Sequence, residues 1–170
     1  MINRRRAMAV AFAGLPAAWL IGSSAARADQ AFQRFIPFLI DVEGWQGKKP
    51  EGFAMETSGT NMITATREYQ RGPAHLQVQV MTGAAAQGAL AATRAGINIE
   101  TSDGRMNTST IDGMQVTRSY TTKDQSGAIL VALGTSGLFS VSFKGLGYDD
   151  ALALAKKFDW KAIQAAAQAK

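Results

Sequence analysis

The stretch NMITATREYQRGPAHLQVQVM, residues 61–81, alternates with a period of two on both sides of a Gly-Pro turn. Met62, Thr64, Thr66 and Glu68 share one face, and Ile63, Ala65, Arg67 and Tyr69 share the other. Beyond RGPA, Leu76, Val78 and Val80 oppose His75, Gln77 and Gln79. Only an extended chain sends successive side chains to opposite faces. The pattern therefore predicts a β-hairpin with one packed face and one wet face, as an antiparallel sheet allows.

Five more strand-like runs follow: NIET, RMNTSTI, MQVTRSYTT, AILVALG and LFSVSFKG. Asp103-Gly104 and Asp112-Gly113 mark turns between them, and Asp-Gly between alternating runs is the strongest local hairpin signal. AILVALG is apolar on both faces and is predicted to be central. Residues 84–95 read as a small-residue helix stopped by Gly96. Phe32, Phe35, Ile36 and Leu39 have helical spacing, with Pro37 expected to end or kink that helix and GKKPEG to form a loop. At the C-terminus, Asp149 or Asp150 is placed to cap a helix that breaks near 158–160.

The order is helix, two strands, helix, four to five strands, helix. It predicts an α+β sandwich in which a single antiparallel sheet carries its helices on one face. This layout resembles the PsbP/Mog1-type sandwich, and the phrases GWQGKKPEG and ATREYQRGPAHLQVQV resemble small secreted bacterial proteins of unassigned function. The resemblance implies a layout and assigns no site residue, because one fold hosts many functions.

Ahead of this domain, Arg4, Arg5 and Arg6 precede an apolar run at 7–21, small polar residues, and Ala26-Arg27-Ala28 before Asp29. That is the three-part plan of a secretory signal peptide cleaved between Ala28 and Asp29. The run is shorter than the roughly 20 residues of a membrane span. The expected product is one domain, residues 29–170, delivered to the periplasm by the general or the twin-arginine route. The chain has no cysteine, which excludes a lipoprotein anchor and a disulfide framework. Four of the 18 basic residues lie in the signal and all 13 acidic ones follow it, which leaves 14 against 13 and a mature charge near +1. Nucleic acid is therefore not an expected partner, since phosphate binding needs a basic patch.

Candidate chemistry is sparse. The lone histidine, His75, has no nucleophile or orienting acid in its local sequence. Met62, Met81 and His75 are a conceivable Cu(I) set across the first hairpin, set against the ordinary use of methionine to fill core gaps. Trp45 and Trp160 lie at junctions between elements and are read as cleft-lining or core residues. With Gln77 and Gln79 of the wet face, they form the candidate ligand-binding set. Expected overall is an exported periplasmic module that binds a small molecule or an envelope protein, without cofactor or catalysis. The alternatives are a hydrolytic or metal-dependent enzyme with dispersed site residues, and a copper-binding protein.

Overall fold

The computed structural model describes residues 31–57 and 59–169; the predicted signal segment and its Ala28–Asp29 junction lie outside them. A 3-10 helix, Gln33–Phe38, leads into strands β1 (Gln46–Gly47), β2 (Glu51–Thr57), β3 (Thr60–Arg71) and β4 (Ala74–Gly83). Helix α1 (Ala84–Ala95) follows, then β5 (Asn98–Glu100), β6 (Gly104–Ile111), β7 (Met114–Thr121), β8 (Ser126–Leu133) and β9 (Gly137–Lys144). Helices α2 (Tyr148–Ala155) and α3 (Trp160–Gln168) close the chain. The strands form one nine-stranded sheet in the order β1-β3-β4-β9-β8-β7-β6-β5, with β2 continuing the β1 side of β3. Every pairing is antiparallel.

The local signals explain much of this. Residues 61–81 form the β3–β4 hairpin, with Tyr69 opposite Leu76 and Ala65 opposite Val80. Between β6 and β7, Asp112 and Gly113 adopt φ of 53° and 84°, the paired positive values that a tight type I′ hairpin requires. Ala128–Leu133 of AILVALG lie within β8, an interior strand between β7 and β9, and Gly134 begins the turn after it. Helix α1 begins and ends where its composition indicates, with Gly96 in the left-handed region at φ 68°.

The main core lies on one face of the sheet. Val78, Val80, Val131, Phe139 and Val141 are fully buried there, under the 3-10 helix, α2 and α3. The Phe139 ring sits 5.5 Å from Phe158 and 6.3 Å from Trp160. On the opposite face, among the described residues, α1 alone packs, through Ala86 and Leu90, onto Leu138 and the partly buried Met81, Leu130 and Ala132.

The expected α+β sandwich is corrected by these facts. The described residues are mostly antiparallel β-sheet, 48% strand against 26% helix. Its helices are short, and they divide between both faces instead of layering one. The expected GKKPEG loop holds at residues 48–50, but Gly47 ends β1 and Glu51-Gly52 open β2, an exposed edge strand that the sequence reading did not assign. The Pro37 segment is 3-10 and not α. Asp149 and Asp150 occupy the first turn of α2, where negative charge suits the helix dipole, but Gly147 is the cap residue. Asp159 is the genuine side-chain cap, accepting the Ala162 N–H of α3 at 2.9 Å. Among the described residues no helix is long and apolar enough to cross a membrane.

A polar strap fixes the N-terminal segment to β3. Arg67 donates to the Leu39 carbonyl at 2.6 Å and the Lys48 carbonyl at 2.8 Å, and pairs with Asp41. Tyr69 Oη donates to the Ile40 carbonyl at 2.7 Å. Burial pushes the Tyr69 phenol up to about 12, even with the Arg67 guanidinium beside it. The strap seats β1 and Lys48 against the end of β3.

Candidate functional site: a polar groove on the uncovered sheet face

Helix α1 begins directly after β4 and covers one end of its face of the sheet, over Met81 and Leu138. Among the described residues the other end of that face carries no helix. The outward positions there are polar on β3, β4 and β9, while β8 contributes Ser126, Ala128 and Leu130. Strand register arranges them in rows. Gln46, Gln70, His75, Lys144 and Ser126 follow one another across β1, β3, β4, β9 and β8. The next row is Glu68, Gln77, Ser142 and Ala128, and the third is Thr66, Gln79, Ser140 and Leu130.

The β1, β3, β4 and β9 members of the first two rows, with the strap residue Lys48, line a groove of about 720 Å³. Gln46, Gln70 and Gln77 bring amides that both donate and accept, and Ser142 adds a hydroxyl. Lys48 Nζ lies 2.6 Å from Glu68 Oε2. That hydrogen bond, reinforced by the charge pairing, raises the lysine pKa and lowers the glutamate pKa, so both stay charged at neutral pH. Lys144 also lines the groove, and it has no carboxylate within 4.0 Å among the described residues. The groove therefore offers dense hydrogen bonding and one uncompensated positive charge.

The sequence-predicted residues separate in space. His75 and Gln77 line the groove, and Gln79 lies one row further along the same face. Trp45 and Trp160 belong to the core on the opposite face. The Trp45 ring is covered by the Arg71 guanidinium at 4.6 Å, and its buried indole N–H has no partner among the described residues. Trp160 donates to the Ala155 carbonyl at 2.9 Å and borders a separate cleft of about 390 Å³ with Asp112, Lys156 and Asp159. The four candidate ligand residues are therefore not one site.

The copper set separates as well. Met62 and Met81 are diagonal neighbours on β3 and β4, but His75 lies six residues from Met81 on the same strand. At about 3.3 Å per residue that is roughly 20 Å, so the three do not share a coordination sphere.

Sheet pairing supplies what the sequence around His75 lacks. Glu68 and Ser142 flank Gln77 on the neighbouring strands, and His75 is diagonal to both. These are the residue types of a nucleophilic triad. A working triad needs its acid bonded to the imidazole and the imidazole bonded to the hydroxyl. Here Glu68 is held by Lys48, and no hydrogen bond joins His75 to either neighbour among the described residues. The arrangement is suited to binding. Lys144, Ser142 and Gln46 escaped the sequence reading because their membership depends on register between strands far apart in the chain. The alternation in LFSVSFKG was the one local sign that Ser142 and Lys144 share a face.

Comparisons with protein families, with curated proteins and with solved structures returned no match.

Proposed function

We propose that this chain is an exported periplasmic binding protein that holds a small polar ligand bearing an anionic group, without transforming it. The observation that carries this reading is the groove on the uncovered half-face, with three amides, a hydroxyl, an imidazole and the unpaired ammonium of Lys144. Ligand sites combine a concave surface with a few placed polar groups. Here amides, a hydroxyl, an imidazole and charged groups line the groove beside apolar surface from Tyr69, Leu76 and Phe143, and recognition rests on the hydrogen bonds and on Lys144. Export rests on the segment ahead of Asp29, whose basic, apolar and small-residue zones match a cleavable signal.

Native mass spectrometry of the protein recovered from its own envelope fraction tests both parts. The expected species begins at Asp29 and carries an added small-molecule mass. That mass is lost from a Gln77→Leu, Lys144→Ala variant that keeps its fold by circular dichroism. A chain retaining Met1 overturns the export proposal. A ligand that persists on the double variant overturns the groove assignment, and turnover of an ester or amide by the purified protein, abolished by His75→Gln, overturns the non-catalytic reading.

A further inference from the structure

The alternation that turns Glu68 and Gln77 into the groove turns three methionines to the same face further along the strands. Met55 of β2 is the direct register partner of Met62 of β3, and Met62 is diagonal to Met81 of β4. Directly opposed residues of an antiparallel pair have Cβ atoms about 5 Å apart, and diagonal ones about 7–8 Å, within reach of long side chains. The β4 partner of Met62 is Gly83, so no side chain competes for the space between Met62 and Met81. Methionine commonly fills gaps in a core. That use accounts for Met114, which is buried, and in part for Met81, which packs against the Leu138 cluster. It does not account for Met55, 43% exposed, or for the partly buried Met62, since neither belongs to an apolar cluster among the described residues.

The donor chemistry narrows what such a set takes. Thioether sulfur is neutral, soft and polarizable, and it selects Cu(I), whereas calcium and magnesium require oxygen ligands and zinc requires imidazole, thiolate or carboxylate. A thioether also has no proton to lose before it can bind. The electrostatic surroundings admit a cation: β2, β4 and residues 60–66 of β3 contain no lysine or arginine, and Glu51 and Glu56 lie on β2 itself. Phe53 stands next to Met55 on the same face, opposite Thr64, and brings an aromatic ring whose face attracts positive charge. We infer that Met55, Met62 and Met81 form a three-thioether site for Cu(I), beside the start of α1. Met62 is the central ligand, flanked by the other two. The site is distinct from the groove, because His75 lies six residues from Met81 along β4, and it does not depend on what the groove binds.

Methyl NMR of the processed chain, labelled at the methionine ε-methyl groups and titrated with Ag(I) as a redox-inert analogue of Cu(I), reads the site without any substitution. The signals of Met55, Met62 and Met81 are expected to shift together and to saturate at one ion per chain. Met106 and Met114, on β6 and β7, should stay in place as internal references. Zn(II) at the same concentration should move none of the five. Competition with bicinchoninate under anaerobic conditions then gives the Cu(I) affinity. Met62→Leu is expected to weaken it about tenfold or more, the scale that even an outer-sphere partner commands, and Met106→Leu to leave it unchanged. Leucine nearly conserves the volume of methionine, so both variants keep the fold. The proposal is overturned if Ag(I) shifts none of the three signals or only one, if Zn(II) shifts them equally, or if Met62→Leu retains the Cu(I) affinity. A response centred on the His75 ring also overturns it, by moving the ion to the groove.

Discussion

Replacing Tyr69 by Phe tests the polar strap through an unusual pH dependence. The substitution keeps the ring in the core, where Tyr69 is 2% exposed and 6.3 Å from Phe158, and removes only the hydroxyl that donates to the Ile40 carbonyl. Losing one such bond and leaving a carbonyl unpaired costs about 1–2 kcal/mol at neutral pH. For a domain of this size that lowers the melting temperature by roughly 3–6 °C. Alkaline pH reverses the order of the two proteins. The folded phenol titrates at about 12, and an unfolded tyrosine titrates near 10. The unfolded state therefore gives up its proton first, so the contribution is complete below about pH 10 and is lost as pH rises toward about 12. The full loss approaches 2–3 kcal/mol, from about 1.4 kcal/mol for each unit of difference. The variant has no phenol at this position and escapes that loss. Urea unfolding followed by tryptophan fluorescence should show the wild type ahead at neutral pH, the two stabilities equal near about pH 11, and the variant ahead above it. A difference that stays constant across this range would refute the assignment of a buried, bonded phenol, as would a variant as stable as the wild type at neutral pH.

Arg67→Ala leaves the carbonyls of Leu39 and Lys48 and the Asp41 carboxylate without their common donor. The expected cost is about 3 kcal/mol, read from the urea midpoint, with faster hydrogen exchange at Gln46–Gly47 because the strap seats that strand. Arg67→Lys should recover little, since one ammonium cannot span three acceptors as a planar guanidinium does. Gly83 sits at φ 70°, and a Cβ there would lie 1.8 Å from the Asn61 carbonyl oxygen. Gly83→Ala should cost about 2–4 kcal/mol from backbone strain and the displaced β3, and a neutral outcome in thermal melts would contradict the tight β4–α1 junction. Phe139→Ala opens a cavity between Phe158 and Trp160 and should cost about 3–5 kcal/mol, with a red-shifted tryptophan emission.

The parts of the fold that could be read in advance are those where a residue's role depends on its near neighbours. A period of two, once set by Asn61 to Tyr69 and continued from His75, decides which side chains face water, and β3 and β4 obey it. Asp112-Gly113 and Gly96 act through their own φ values, so the β6–β7 turn and the end of α1 needed no distant contact. Strand β2 was invisible for the complementary reason. It is held by pairing with β3 and is mostly exposed, so its composition shows no burial pattern. The distribution of helices was equally unreadable, because α1, α2 and α3 all have an apolar stripe and nothing local tells which face of the sheet each will cover.

The groove divides along the same line. That His75, Gln77 and Gln79 point away from the core follows from alternation along one strand, a property of the extended backbone. That Gln77 stands between Glu68 and Ser142, that Lys144 faces His75, and that Trp45 and Trp160 lie behind the sheet follow from the β3-β4-β9 order and its register. Those pairings join residues up to about 70 positions apart, through loop closure and the packing of two faces. Their free energy belongs to the assembled sheet and leaves no trace in any short segment of the chain.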